Sequence, residues 1–256
     1  MRTWRSFLCC GWVLLGWPLV QGQSVLQDAA QDPAQALLTL ANQARNEAGV
    51  GPLRWDGALA AAAQQHCQRM SVEGPLAHRY PGEPDLTARA AAAGAHFSLI
   101  EENIAVGAGA AAIQNGWLNS AGHRRNLLNP SIDRIGIAVV VRQGLLYAVA
   151  DYARAVPVLS QPEVEATFAG LLRARHLKIL RDPRAARAYC ASGGKYRGLD
   201  PPQLLMRWEN PDVGRLPEEL AAALEHGAYR SAAVGSCPTE DAQGGFTTYR
   251  VAVLLY

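Results

Sequence analysis

Apolar residues recur at helical spacing in the part of the chain that follows residue 31. A first helix is predicted to begin at Asp32-Pro33 and to end at Gly49, because Asp and Pro favour helix starts and Gly favours helix ends. Its apolar face is formed by Leu37, Leu38 and Ala41. A second helix is predicted from Asp56, with apolar positions at Leu59, Ala63, Cys67 and Met70.

The middle of the chain combines irregular structure with a hairpin. Residues 71–101 contain several Pro and Gly residues and are predicted to be mostly irregular, apart from a short helix near 86–93. An alanine-rich helix follows near 109–119. Apolar runs over 134–142 and 145–152 predict two strands joined by a tight turn. Because helices come first and strands cluster later, we expect a sheet covered by helices.

The chain after residue 153 is predicted to form a smaller unit of its own. A linker over 154–160 leads to an α+β segment over 161–256. Leu180-Arg181-Asp182, followed by Cys190, resembles Arg54-Trp55-Asp56, followed by Cys67. We therefore hold as a hypothesis that this segment is a degenerate second copy of the first. Its predicted elements are helices near 161–179, 182–190 and 216–226 and strands near 232–237 and 247–256.

Residues 1–22 have the features of a signal peptide. Two arginines precede an apolar run from Phe7 to about Leu19, and small residues up to Gly22 fit a cleavage site. This run is shorter than the roughly 20 apolar residues of a membrane span, and no later run is long enough. We expect the mature chain to be secreted or periplasmic, without a transmembrane segment.

The cysteines fit an exported protein with one disulfide. Oxidising conditions outside the cytoplasm allow pairing. Cys190 and Cys237 lie in the same C-terminal segment and are the plausible pair, and closing their loop contributes about 3–4 kcal/mol through chain entropy. Cys67 is then predicted to be a buried free thiol.

The charge pattern excludes one class of partner. The net charge is +2, and the basic residues are scattered among acidic ones rather than clustered. A protein that binds nucleic acid needs a basic surplus or a basic stripe. We therefore expect no nucleic-acid partner.

Polar side chains in the middle of the first segment provide the candidate chemistry. His78, Glu102 and His123 each lie among small or apolar residues, so that their side chains can face a cleft. Two neutral imidazoles and one carboxylate can bind a divalent cation and leave one position open. The same groups can instead form a charged, hydrogen-bonded cluster without metal, because a carboxylate favours protonated imidazoles. Both interpretations are open at this point.

Short blocks of residues follow one another along the first segment. The blocks are Asn42-x-x-Arg45, Leu53-x-Trp55-Asp56, His66-Cys67-x-x-Met70, His78, Arg89 with Gly94, Glu102-Asn103-Ile104-Ala105, Trp117-x-x-Ser120-x-Gly122-His123-Arg124-x-Asn126 and Gly136. In this order they resemble the CAP superfamily, also called the SCP domain family. It contains cysteine-rich secretory proteins, antigen 5 and pathogenesis-related 1 proteins, and the chain is most similar to the short bacterial branch. The resemblance covers about residues 35–153 and implies an α/β fold, an α-β-α sandwich, for a domain over 33–153.

The resemblance also implies a cleft with two histidines and two acids, which in several members binds zinc or another divalent ion. His78, Glu102 and His123 match three of these positions and are the candidate metal ligands, with zinc as the expected ion. Ser120 stands where the second acid is expected, so the cleft carries one negative charge fewer. Glu101 replaces the usual glycine, but neighbouring side chains on a strand face opposite sides, and we expect Glu101 to point away.

The leading functional hypothesis is an exported binding or interaction module, with a lipid, glycan or protein ligand and no assigned catalytic residue. Functions within the superfamily vary widely, so the resemblance by itself selects no ligand. The alternative is a metal-assisted hydrolase that acts on an envelope polymer or a peptide, with Glu102 as ligand or base. A third hypothesis assigns the function to the C-terminal segment.

Overall fold

Two four-stranded β-sheets organise the chain in the computed structural model, which describes residues 32–227, 229–239 and 245–256. The predicted signal peptide over 1–22 lies outside the described residues. No helix in the described part of the chain is long and apolar enough to cross a bilayer.

The first sheet and its helices lie within residues 33–155, referred to below as the N-terminal half. The remaining residues, 156–256, are the C-terminal half. Pro33–Tyr256 as a whole forms one compact unit. The predicted linker over 154–160 and the domain boundaries stay predictions.

The N-terminal half alternates helices and strands. Its elements in chain order are α1 (Pro33–Glu47), β1 (Arg54–Trp55), α2 (Gly57–Glu73), α3 (Leu86–Ala92), β2 (Phe97–Gly107), α4 (Ala110–Asn119), α5 (Ala121–Leu127), β3 (Arg134–Arg142) and β4 (Leu145–Ala155).

The N-terminal sheet has the strand order β1-β3-β4-β2, with β1 parallel to β3 and the other pairs antiparallel. Helices α1 and α4 cover one face, where Leu37 and Trp117 pack in one apolar cluster with Tyr152. Helices α2 and α3 cover the other face, where Leu59 and Phe97 are buried. The result is the predicted α-β-α sandwich.

Capping residues and turn residues account for the helix starts and the hairpin of this sandwich. Asp56 accepts hydrogen bonds from two backbone N–H groups of α2, and Asp85 accepts one from α3, so each helix begins after a capping aspartate. The β3–β4 hairpin turns at Gln143 and Gly144, whose φ angles of 53° and 76° suit a two-residue turn.

The C-terminal half contains the second sheet. Its elements are α6 (Gln161–Arg173), β5 (Lys178–Ile179), α7 (Arg184–Ala191), β6 (Leu204–Asn210), α8 (Glu218–His226), β7 (Ser231–Cys237) and β8 (Tyr249–Leu255).

The C-terminal half repeats the topology of the N-terminal half. Its strand order is β5-β7-β8-β6, with a parallel first pair followed by antiparallel pairs. Helix α6 packs on one face together with Leu220 of α8, and α7 packs on the other face around Ala186. Each of these elements occupies the place of its counterpart in the first sheet. The predicted smaller α+β segment is therefore a second, reduced copy of the same architecture.

Three sequence predictions about elements need correction. The prediction of irregular structure up to residue 101 is wrong, because Phe97–Gly107 forms β2; charged residues at its centre hide the apolar alternation. The helix predicted through Ile179 ends at Arg173, where His176 adopts a φ of 65° and the chain turns into β5. Helix α5 and strand β6 form in segments for which no element was predicted.

The cysteines are placed as the sequence suggests. Cys190 of α7 is bonded to Cys237 at the end of β7, with the two Cα atoms 5.8 Å apart. Cys67 is free and buried. Its thiol donates to the carbonyl oxygen of Tyr147 at 3.1 Å, and burial raises the pKa of the thiol to about 11. Such a thiol is unreactive at neutral pH.

Candidate functional site

Glu102 is the centre of a buried charged cluster on the face of the sheet that α2 and α3 cover. Its carboxylate is buried in the middle of β2. One oxygen, Oε1, accepts from Nδ1 of His78 at 2.7 Å, and the other, Oε2, accepts from Nη2 of Arg89 at 2.5 Å. The cluster therefore joins a loop residue, a helix residue and a strand residue.

Arg89 links this carboxylate to a second buried acid. The guanidinium of Arg89, itself buried, lies between Glu102 and Glu83, with Nη1 4.0 Å from Glu83 Oε1. The same Nη1 donates to the carbonyl oxygens of His78 and Pro84. One side chain thus connects the acid on the sheet to the loop that carries His78.

His66 holds the other end of that loop. Its ring is fully buried, with Nδ1 2.7 Å from Glu83 Oε1 and Nε2 3.0 Å from the carbonyl oxygen of Ala77. Both partners are hydrogen-bond acceptors, so each ring nitrogen faces an acceptor inside the core. The N–H of Tyr80 donates to the second oxygen of Glu83. His66 is therefore a structural residue of the core and not a residue of the cleft surface.

His123 is brought towards the same part of the sheet by two asparagines. The amide of Asn103, next to Glu102, donates to the carbonyl oxygen of His123 at 2.9 Å. The amide of Asn126 donates to the carbonyl oxygen of Glu102 and to the side-chain oxygen of Asn103. These bonds fix α5 against β2, and they explain why asparagines occur at both positions.

The two predicted histidines have opposite electrostatic environments. The hydrogen bond to Glu102 raises the pKa of His78, although partial burial opposes this shift. Burial and the neighbouring charge of His78 lower the pKa of His123. His78 therefore keeps its ring proton to a higher pH than His123 does.

Asp151 is the member of the cluster that sequence reasoning missed. It lies in β4 directly opposite Glu102, and no N–H or O–H group in the described part of the chain donates to either of its oxygens. Complete burial raises the pKa of Asp151 well above its usual range, and the adjacent charge of Glu102 adds to this effect. The protonated carboxyl can itself donate to Glu102. Its position within an apolar strand, LLYAVADY, was the available signal.

The Asp151→Asn variant is expected to be more stable than the natural chain at pH 8, by about 1–3 kcal/mol. The folded pKa of Asp151 is raised, so its favourable contribution is complete below the unfolded pKa and is lost as pH rises through the folded pKa. Asparagine keeps a donor towards Glu102 at every pH. Urea unfolding from pH 4 to pH 8 should show the advantage of the variant shrinking towards pH 4. A variant less stable at every pH would mean that Asp151 is ionised in the fold.

The remaining predicted site residues fall outside the contacts of the cluster. Ser120 lies between α4 and α5, and within the described residues its hydroxyl has no hydrogen bond to His123. Both oxygens of Glu101 accept from the Asn129 amide at 3.2 Å, on the opposite face of β2 from Glu102. Glu101 therefore points away, as expected.

The candidate ligands do not fit a metal ion in this arrangement. Each oxygen of Glu102 already accepts from His78 or Arg89, and the guanidinium supplies the positive charge beside the carboxylate. In the part of the chain that the structure describes, no three His, Cys, Asp or Glu side chains are grouped to hold an ion. The geometry favours the hydrogen-bonded cluster, and the zinc site at His78, Glu102 and His123 stays a prediction.

Comparison with known proteins agrees with this fold. Residues 38–152 match the profile of the CAP family, described as the cysteine-rich secretory protein family. The uncharacterized protein YkwD of Bacillus subtilis (strain 168) is 30% identical over 105 residues, which are 41% of this chain and 41% of that protein. A pathogenesis-related protein 1 of Arabidopsis thaliana is 40% identical over 57 residues, 22% of this chain and 35% of that protein. The chain thus spans about two fifths or less of these relatives.

A solved structure adds a further likeness. An extracellular protein containing an SCP domain from Bacillus anthracis str. Ames is 31% identical, with a TM-score of 0.43, over 48% of this chain and 40% of that one. The sandwich, the order of the polar blocks and the matched profile define the N-terminal half as a CAP domain. Residues 38–152 thus form a domain of the cysteine-rich secretory protein family.

The second copy lacks the charged cluster. In the first sheet, Asp151 pairs with Gly136 on one side and with Glu102 on the other. The parallel pairs define which positions of the two sheets are equivalent. Arg134 pairs with the first residue of β1, and Ser231 pairs with the first residue of β5, so Arg134 corresponds to Ser231. The corresponding triplet there is Ala233, Leu254 and Leu205. Apolar residues replace both acids, so the second copy offers no equivalent site.

Proposed function

We propose that this chain is an exported binding module whose CAP half binds a ligand rich in hydrogen-bond acceptors through His78 and His123. The ligand is a lipid, glycan or protein met outside the cytoplasm, in a secreted or periplasmic location. The predicted signal peptide over 1–22 supports export, and the family to which the N-terminal half belongs supports a CAP-type cleft.

One observation carries the choice of binding over catalysis. Glu102, the acid that a hydrolase would use as base or metal ligand, accepts a hydrogen bond at each oxygen from His78 and Arg89. A general base must lie within reach of the proton that it abstracts, and the carboxylate of Glu102 is buried, with its oxygens directed at these two donors. The side chain of His78 is 58% exposed and has its Nδ1 on Glu102, so that Nε2 is the donor available to a ligand.

The nucleophiles of this half also fit a non-catalytic role. The Cys67 thiol is buried with a raised pKa, and Ser120 has no hydrogen bond to His123. An activated nucleophile requires an adjacent base. The exposed ring of His78, whose pKa the hydrogen bond to Glu102 raises, is instead suited to donate to an acidic or hydroxyl-bearing group.

Imidazole NMR with two probes tests the proposal. The probes are soluble muropeptides and vesicles of phosphatidylglycerol, added separately to the chain labelled at histidine. We expect saturable shifts of the His78 and His123 rings with one probe, and at least about tenfold weaker binding for His78→Ala. The exposed His226 lies in the C-terminal half, so His226→Ala is the matched control and should bind as the natural chain does.

Two outcomes would contradict the proposal. One is the absence of saturable shifts with both probes. The other is stoichiometric zinc binding that His78→Ala abolishes, together with zinc-dependent cleavage of muropeptides. The second outcome would instead support the metal-assisted hydrolase.

A further inference from the structure

The longest connection of the second copy returns to the N-terminal half. In the first copy, β3 and β4 are joined by the two residues Gln143 and Gly144. In the second copy, residues 238–248 separate β7 from β8. The described end of this connection, Gly245–Thr247, contacts α3 and the start of β2. We refer to Gly245–Thr247 as the strap.

Each residue of the strap makes a specific contact with the N-terminal half. The ring of Phe246 packs edge-to-face on Phe97, with centroids 5.4 Å apart, within the apolar cluster that includes Ala90. The N–H of Thr247 donates to the carbonyl oxygen of Phe97 at 2.8 Å. The backbone hydrogen bond and the aromatic contact together fix the position of the strap on the N-terminal half.

Gly245 lies so close to α3 that no side chain fits. A Cβ atom at this position would be 2.7 Å from Cβ of Ala91 and 2.9 Å from the carbonyl oxygen of Thr87. The φ angle of Gly245 is +87°, a conformation that glycine adopts without strain. The strap therefore rests directly on the helix surface.

Helix α3 is held between the strap and the charged cluster. Thr87 and Ala91 are four residues apart and share one face of the helix. Arg89 is midway between them in sequence and projects from the opposite face, where Nη2 meets Glu102 at 2.5 Å. A helix of seven residues is marginal by itself, so tertiary contacts fix its position, and these two are among them.

We propose that the strap of the C-terminal half presses α3 against the sheet and thereby positions Arg89 between Glu83 and Glu102. The second copy, which has no charged cluster of its own, then serves as the support of the cluster in the first. Arg89 is a positioning residue in this scheme, because it orients Glu102 and, through that carboxylate, His78. The scheme concerns the free protein and does not depend on the proposed ligand.

Gly245→Ala and Gly194→Ala form a matched pair for the test. Gly194 has a φ of +91°, and the nearest atom to a Cβ there would be the Tyr189 hydroxyl at 3.9 Å. Both variants place alanine at positive φ, but only Gly245→Ala displaces α3. Hydrogen exchange of the α3 amides and NMR signals of the Arg89 guanidinium are the readouts, with Arg89→Lys assigning those signals.

For Gly245→Ala we expect α3 amides to exchange at least about tenfold faster than in Gly194→Ala, and the slow Arg89 guanidinium signals to disappear. Amides of β8 should remain equally protected in both variants. Equal α3 exchange and unchanged Arg89 signals would overturn the proposal.

A second pair of variants covers the case in which Gly245→Ala does not fold. Phe246→Ala should reproduce the loss of the Arg89 signals, and Phe246→Leu should restore them, because leucine keeps most of the apolar contact with Phe97. Unchanged Arg89 signals in Phe246→Ala would overturn the proposal in the same way. Neither readout involves a ligand, so a failed binding experiment and a failed strap experiment are distinguishable.

Discussion

Replacement of Arg89 by methionine is expected to lower the free energy of unfolding by about 3–5 kcal/mol. The guanidinium is buried between the carboxylates of Glu102 and Glu83. Methionine fills a similar space but leaves both acids in the interior without their cation. Removal of one partner from a buried ionic cluster is more damaging than absence of the whole cluster, because the remaining charge stays unsolvated. Urea unfolding at pH 7 measures the loss.

A double variant shows whether the loss comes from the charges. Arg89→Met combined with Glu102→Gln removes one acid together with the cation, and should recover about 1–3 kcal/mol of the loss. Arg184→Met is the control, because Arg184 forms an exposed ion pair with Asp182 and should leave stability essentially unchanged. If the losses of unfolding free energy in the two single variants simply add in the double variant, Arg89 stabilises by packing and not by its charge.

The helices of the sandwich could be predicted from the sequence because their signals are local. Asp56 predicts the start of α2, and its side chain does accept two backbone N–H groups there. Strand β2 could not be predicted, because Glu101, Glu102 and Asn103 interrupt its apolar pattern. Charged residues at the centre of a buried strand are stable only with partners from other elements, and the sequence does not show those partners.

The same reason limits the prediction of the site. The order of the blocks indicated His78, Glu102 and His123 and included Arg89, but it gave Arg89 no role and did not point to Asp151. Arg89 and Asp151 are distant from Glu102 along the chain, and only the pairing of β2 with β4 and the docking of α3 bring the three together. A site defined by tertiary partners is thus incomplete in sequence even where its family is evident.

The second copy keeps the strand order of the first sheet although it lacks the charged cluster. The motif similarity aligned Asp182 with Asp56, but the structure aligns Leu180 with Asp56. The N–H groups of Leu180 and Asp56 each donate to the neighbouring strand of their own sheet at the equivalent point. The sequence alignment is therefore shifted by two residues. The acids opposite one another in the first sheet become Leu205 and Leu254 in the second. Apolar pairs preserve the sheet, so the fold is retained although the charges are lost.

Both copies have a strand glycine in close contact with a helix backbone, and replacement of this glycine is expected to reduce stability strongly. Gly136 in β3 and Gly235 in β7 each lie beneath the helix that follows the first strand of their copy. A Cβ atom at Gly136 would be 2.0 Å from the backbone nitrogen of Ala60, and one at Gly235 would be 2.3 Å from that of Arg187. Both distances are far below van der Waals contact with an atom that cannot rotate away. Either helix must therefore shift as a body to admit a methyl group.

Gly136→Ala and Gly235→Ala are each expected to lower the free energy of unfolding by about 3 kcal/mol or more. Gly116 in α4 and Gly170 in α6 are the controls, one in each half, because each is exposed and has no atom within 4 Å of an added Cβ. Alanine at these helical positions should stabilise by about 0.5–1 kcal/mol. Thermal and urea unfolding of all four variants measures the contrast. A harmless Gly235→Ala beside a damaging Gly136→Ala would show that α7 does not pack on its sheet as α2 does, and the second copy would then share only its strand order with the first.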